Sequence, residues 1–227
     1  LIWEGVAFWG LTAMDKVLLK SLSGLDELGI YSLATSFAAI ATILQSLFST
    51  IWSPMVYRWA ANGEKLDKVQ TVSRYMLLLI VFIFFLAGIF SPIISMFLPQ
   101  EYNKVQWLFV SCISFPLLYT LSETTIVGVN LTKKTKFSMF ASALACVVNI
   151  IGNILMIPIY GAAGAAVSTC VAFLVFFILR TEFSILVWNA FPRKLLYSYS
   201  TLCVFGACLT SLHGENRYWL LCLYWSD

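Results

Sequence analysis

Apolar residues along this chain gather into long continuous runs rather than short alternating segments. Leu28 to Tyr57 and Tyr75 to Leu98 contain no Asp, Glu, Lys or Arg, and Val105 to Val129 contains Glu123 alone. A helix needs about 20 mostly apolar residues to cross the roughly 30 Å of bilayer hydrocarbon, so each run predicts one spanning helix. Phe137 to Leu179 is also free of formal charge but too long for one span. Pro158, followed by Gly161 and Gly164, breaks it into a tight helical hairpin. Leu1 to Lys20 forms a more polar first span, and Leu195 to Leu212 a seventh after the break at Asn189 to Lys194. Tyr218 to Trp225 is too short to cross. A β-barrel would show segments of about ten residues alternating between its two faces, and continuous runs argue against one. The expectation is an all-α, polytopic transmembrane helical bundle.

Composition agrees with that pattern. Of 227 residues, 60% are hydrophobic and 16% aromatic, only 11% are charged, and the mean hydropathy is +0.87. A soluble domain carries about 25% charged residues, so the chain has too few to coat a water-exposed surface. A net charge of +3 spread over apolar runs builds no phosphate-binding face, which excludes nucleic acid as a partner. The opening segment has neither a charged leader region nor a small-residue cleavage site. It begins with Leu inside a candidate span, and the chain stops inside an apolar stretch, so the reading is a fragment with upstream sequence missing.

Lys and Arg in short loops are retained on the cytoplasmic side and set the orientation. Ten basic residues (Arg58, Lys65, Lys68, Arg74, Lys133, Lys134, Lys136, Arg180, Arg193 and Lys194) fall around alternate connections. The intervening connections hold four, Lys16, Lys20, Lys104 and Arg217, and Pro158 to Gly164 holds none. That bias starts the first span from the cytoplasm and puts the Pro158 to Gly164 turn outside. Trp59, Trp107 and Trp188 fall near span ends, where amphipathic rings settle at headgroup depth.

The six cysteines (Cys112, Cys146, Cys170, Cys203, Cys208 and Cys222) show no CxxC pair, and the sole histidine, His213, sits at a loop edge. This pattern suggests neither a zinc site nor a disulfide framework. Nucleophile elbows, phosphate-binding loops and paired carboxylates at usable spacing are absent from the sequence, so it predicts neither an enzyme nor a cofactor.

Polarity inside the spans is the informative feature, because an ionised side chain at mid-bilayer costs about 3 kcal/mol on insertion scales. Glu4 and Asp15 are eleven residues apart, three helical turns within about 20 degrees of register, and share a face. Asp15 and Lys16 read equally as cavity-facing residues or as interfacial residues that snorkel, and Lys16 is placed to neutralise Asp15 in part. Glu4, near the inner end, reads as interfacial. Glu123, in Ser122-Glu123-Thr124-Thr125 beyond a kink expected at Pro116, reads either as a proton, cation or sugar site or as a cap on an interhelical network. Arg180 and Glu182 lie near the inner end of the sixth span, where snorkelling is cheap. Asn149 and Asn153 are one turn apart and project from one side of the fifth span beside Gly152, as interhelical glue or as ligand contacts. Gly161 to Ala166 opens the sixth span with small residues throughout and predicts close backbone approach.

The run from Asn149 through Gly152, Asn153, Pro158, Gly161 and Gly164 to Ala166 resembles the asparagine, proline, glycine and double-alanine hairpin of polysaccharide transporters. These belong to the multidrug/oligosaccharidyl-lipid/polysaccharide exporter superfamily. Asp15-Lys16-Val-Leu-Leu is similar to that family's Asp-Arg-Leu-Leu at the end of the first helix of the second lobe, with Lys where Arg is commoner, and Leu28 to Ala34 agrees in order and spacing. The resemblance covers most of the chain to about Trp188. It implies that residues 1–188 are the six-helix C-terminal lobe of a two-lobed, MATE-like flippase and that 189–227 add one further helix and a truncated apolar segment.

The resemblance implies a transporter in the bacterial inner membrane that moves undecaprenyl-pyrophosphate-linked O-antigen or polysaccharide repeat units from the cytoplasmic to the periplasmic leaflet. Asp15, Lys16, Glu123, Asn149 and Asn153 are the candidate translocation residues, with Glu4, Arg180 and Glu182 secondary. The implied partners are the lipid-linked oligosaccharide, membrane lipids, other polysaccharide assembly proteins, and H+ or Na+ as coupling ion. Two alternatives stay open. A multidrug or cation antiporter of the same superfamily would use Asp15 or Glu123 as its coupling site. A membrane polymerase or ligase would be expected to carry a large external loop with basic residues, and the outside connections here are short.

Overall fold

The computed structural model describes residues 2–63, 67–188 and 191–213, leaving aside the side chains of residues 2–8 and 12. The Glu4 side chain, Lys65, Arg217, Cys222 and the Tyr218 to Trp225 segment therefore lie outside the described residues. Among the described residues there are no strands and seven long helices: α1 (Ile2–Leu22), α2 (Leu25–Ala61), α3 (Asp67–Met96), α4 (Val105–Thr125), α6 (Lys136–Tyr160), α7 (Ala162–Val187) and α8 (Arg193–His213). A single turn, α5 (Val127–Leu131), follows α4, and a 3-10 turn at Gln100–Tyr102 precedes it. Six of the seven are long and apolar enough to cross a membrane. The exception is α1, the helix that carries Asp15, Lys16 and Lys20. The chain is an all-α polytopic helical bundle.

Burial follows the demands of a lipid solvent. Helices α4 and α7 form the centre and pack against each other, with α2, α3 and α8 around α4 and with α6 and α8 against α7. The peripheral helices turn large apolar side chains outward, such as Ile40, Ile43 and Leu47 on α2, Phe82 and Phe90 on α3, and Leu144, Ile151 and Leu155 on α6. Exposed apolar rows of this kind are penalised in water and are the ordinary lining of a helix in hydrocarbon. With 37 residues, α2 is about 55 Å long, well beyond the hydrocarbon thickness, so it tilts or projects from the bilayer.

Two predicted boundaries move. Val105 to Val129 reads as one span, yet α4 ends at Thr125. The Thr124 and Thr125 hydroxyls donate back to the carbonyls of Leu121 (2.7 Å) and Ser122 (3.2 Å), and the Gly128 N–H is taken by Ser184 Oγ of α7 (2.9 Å). Local hydroxyl bonds and a tertiary acceptor thus replace continuation of the helix. In the hairpin, Pro158 sits inside the last turn of α6 and the break falls at Gly161. Gly161 adopts φ 55°, and a Cβ there would come within 2.5 Å of a Glu27 carboxylate oxygen. A Cβ on Gly164 would overlap the Met156 carbonyl, so α6 and α7 approach backbone to backbone as the small-residue run predicts. Pro116 lies inside α4 without ending it.

Candidate functional site

Asp15 is 1% exposed, on the face of α1 that packs against α6. Its carboxylate collects four donors from three other helices. Tyr31 Oη of α2 donates to Oδ2 at 2.7 Å, and Thr169 Oγ1 of α7 donates to the same oxygen. Asn149 and Asn153 of α6 donate through Nδ2 to Oδ1 at 3.0 and 2.7 Å. Asn153 also donates to Asn149 Oδ1 (3.0 Å), and Asn149 donates to Thr169 Oγ1 (3.0 Å), closing the network. Every donor is electrically neutral. An ionised carboxylate is an acceptor with about four lone-pair sites, and this arrangement fills them; each such bond contributes about 1.5–3 kcal/mol.

The spacing that puts Asn149 and Asn153 on one side of α6 thus aims both at Asp15. The interfacial reading of Asp15 is corrected: register with the small-residue hairpin carries it inward. Lys16, about 100 degrees around the helix, is exposed, and among the described residues no cation pairs with Asp15, so Lys16 does not neutralise it. Lys16 and Asp15 do line one cavity of about 200 Å³ with Tyr31, Thr35, Phe115 and Thr169. Asn153 Oδ1 is buried without a partner. Both asparagines turn their amide nitrogens, not their oxygens, to the carboxylate, so the site as folded is arranged to hold an anion, and a proton is the simplest species that would discharge it.

A second buried centre joins α4 to α7. Glu123 Oε1 lies 2.8 Å from Arg180 Nη1, and the same nitrogen donates to Ser122 Oγ at 2.7 Å. The guanidinium is stacked over Phe176 (4.9 Å) and Tyr119 (5.4 Å). The backbone carbonyl of Glu123 accepts from Trp52 Nε1 of α2 at 2.9 Å. Arg180 is 5% exposed, which corrects the expectation that it snorkels: a carboxylate and two aromatic faces inside the bundle offer more than the interface does. Glu182, two residues on, faces the other way and is partly exposed, accepting from Arg193 (2.7 Å) and Tyr197 Oη (2.8 Å) of α8.

Tyr31, Thr169 and Glu27 are not among the residues picked from the sequence. Tyr31 and Thr169 carry hydroxyls inside apolar runs, a signal too common to single out. Glu27, in the first turn of α2, accepts from the Ala162 N–H that opens α7 (2.8 Å) and lies 3.9 Å from Lys104. A carboxylate at a helix N-terminus is stabilised by the free N–H groups there, and here it comes from another helix.

No family model matches the chain, and no solved structure matches it. It is similar to a probable low-salt glycan biosynthesis flippase of Haloferax volcanii, with 25% identity over 177 residues covering 75% of this chain and 37% of the relative. It is also similar to a capsular polysaccharide biosynthesis protein of Staphylococcus aureus, with 26% identity over 174 residues covering 71% of this chain and 42% of the relative. The chain therefore spans about two fifths of the length of these relatives. The similarities and the apolar helices together support a multi-pass membrane protein with a polysaccharide-related role.

Proposed function

We propose that this chain is one lobe of a transporter that flips lipid-linked glycan repeat units across the membrane, coupled at Asp15 to H+ or Na+. The observation that carries the reading is a fully buried carboxylate on α1 with only neutral donors, drawn from α2, α6 and α7, in a bundle similar to proteins named for glycan flipping and capsule synthesis. Four donors hold the anion when the site has no cation. A bound proton or cation neutralises it and changes which bonds the two asparagines and Thr169 can make. That change is a physical means of linking ion occupancy to helix arrangement.

The glycan-pyrophosphate head cannot cross hydrocarbon unaided. A polar-lined cavity between two lobes passes the head while the lipid tail stays in the bilayer, and rocking of the lobes alternates access. Lys16, exposed beside the 200 Å³ cavity, supplies positive charge toward an anionic head. The reaction is transport rather than catalysis, in the bacterial inner membrane, with the Arg74, Arg193 and Lys194 end in the cytoplasm.

The test is complementation of a flippase-deficient strain by the full reading frame. Restored surface polysaccharide, lost on Asp15→Asn while membrane protein levels hold, supports the proposal. Drug resistance with no effect on surface glycan would favour the antiporter. Failure of the 227 residues alone, beside success of the full frame, is expected because one lobe supplies one wall of the cavity.

A further inference from the structure

A groove of about 730 Å³ opens between the N-terminal half of α3 and the N-terminal turns of α8. Arg74, Arg193 and Lys194 stand at its mouth, and Leu77, Leu78, Val81, Leu195 and Tyr199 form its walls. Arg193 is held by Glu182 at 2.7 Å. Arg74 and Lys194 are exposed, and among the described residues neither has a carboxylate partner. The mouth also takes in the first turn of α8, which has no acidic residue and whose leading N–H groups have no acceptor within the helix.

We infer that this groove binds an anionic phospholipid of the cytoplasmic leaflet, its phosphodiester held by Arg74, Lys194 and the α8 N-terminus and one acyl chain lying along α3. Both basic residues belong to the clusters that the charge bias places at the cytoplasm, so the mouth sits at headgroup level. From Arg74 to Val81 the wall descends about 10 Å into the hydrocarbon region. A free anion would use the mouth and leave that wall bare. A neutral lipid would leave two cations unanswered. An anionic lipid answers both, and a basic pocket between helices at the cytoplasmic side is the general form of such a site. Leu78 and Leu195, 64% and 55% exposed, provide the acyl contact.

The experiment uses the full-length protein in neutral detergent, following thermal unfolding during titration with phosphatidylglycerol, phosphatidylcholine, glycerophosphate or undecaprenyl pyrophosphate. Phosphatidylglycerol should stabilise at lower concentration than phosphatidylcholine. The double variant Arg74→Gln/Lys194→Gln should weaken that preference about twenty-five-fold, at about a factor of five per charge. Both positions are exposed, and an unchanged melt in phosphatidylcholine confirms that the variant is folded. Equal protection by the two phospholipids, or full protection by glycerophosphate, overturns the inference. So does a double variant that loses its response to undecaprenyl pyrophosphate but keeps its response to phosphatidylglycerol, since the groove would then hold the transported lipid. The readout needs no transport, so the failure of the flippase proposal and of this one are separable.

Discussion

Replacing one member of the Glu123–Arg180 pair should damage the fold far more than replacing both. The charges are 2.8 Å apart and both side chains are about nine-tenths buried, at 10% and 7% exposed. At an effective dielectric of about 20, unit charges at that distance attract by about 6 kcal/mol, much of which is offset by removing them from water. A single replacement, Arg180→Met or Glu123→Leu, leaves the other charge without its ion partner and should cost about 3–5 kcal/mol. The double variant Glu123→Leu/Arg180→Met exchanges the pair for apolar volume and should lie within about 1–2 kcal/mol of the native protein. Arg180→Lys should fall between, since an ammonium meets Glu123 but has no flat face to lay on Phe176 and Tyr119. Reversible SDS-induced unfolding of the full-length protein in mixed micelles measures all four. Additive single costs in the double variant would refute the reasoning, since they would mean that each residue acts alone. Loss of transport in a stable double variant would move the pair from scaffold to translocation path.

Asp15→Asn should abolish ion-driven transport while leaving the protein in the membrane, since an amide keeps the shape and much of the hydrogen bonding; loss of the protein from the membrane would make Asp15 structural glue. Gly161→Ala forces a positive φ on a residue with a Cβ and presses it on Glu27, so it should lower stability by about 1–3 kcal/mol in the same unfolding assay, and an unchanged midpoint would contradict the geometry. In a background free of native thiols, Tyr160→Cys should react with an impermeant reagent in intact cells and Lys65→Cys should not; the reverse pattern would invert the topology.

The bundle was legible because run length is set by bilayer thickness, a constraint that needs no tertiary information. The α6–α7 hairpin was legible for a similar reason: few sequences besides glycines and alanines permit two backbones to touch. The site was legible in part. Asn149 and Asn153 could be put on one face by spacing alone, but their partner lies 134 residues away from Asn149 on α1, and helical register within a segment carries no information about which helix comes next to it. Arg180 illustrates the same gap. Its depth suggested snorkelling, and only the placement of α4 beside α7 supplies the carboxylate that makes burial the better state. Glu27 carries no such signal, because a carboxylate in the first turn of a helix reads as complementing its own helix, and nothing local says that it caps a different one.

The contact between α6 and α7 also decides how this molecule can move. Gly152 leaves no room for a Cβ against Ser168, Gly164 none against Met156, and Ser168 Oγ donates to the Asn149 carbonyl at 2.8 Å. Two helices interlocked at two levels, at Ser168 and at Gly164, resist sliding past one another, so the hairpin is expected to move as a single lever. Asn149, Asn153 and Thr169 all ride on that lever, whereas Asp15 and Tyr31 stand on helices outside it. Under the proposed ion coupling, a stroke of the hairpin would be a stroke against Asp15, and the bonds to its carboxylate would act as a clutch between the two parts, engaged while the carboxylate is an anion and slackened once a proton or cation takes its charge.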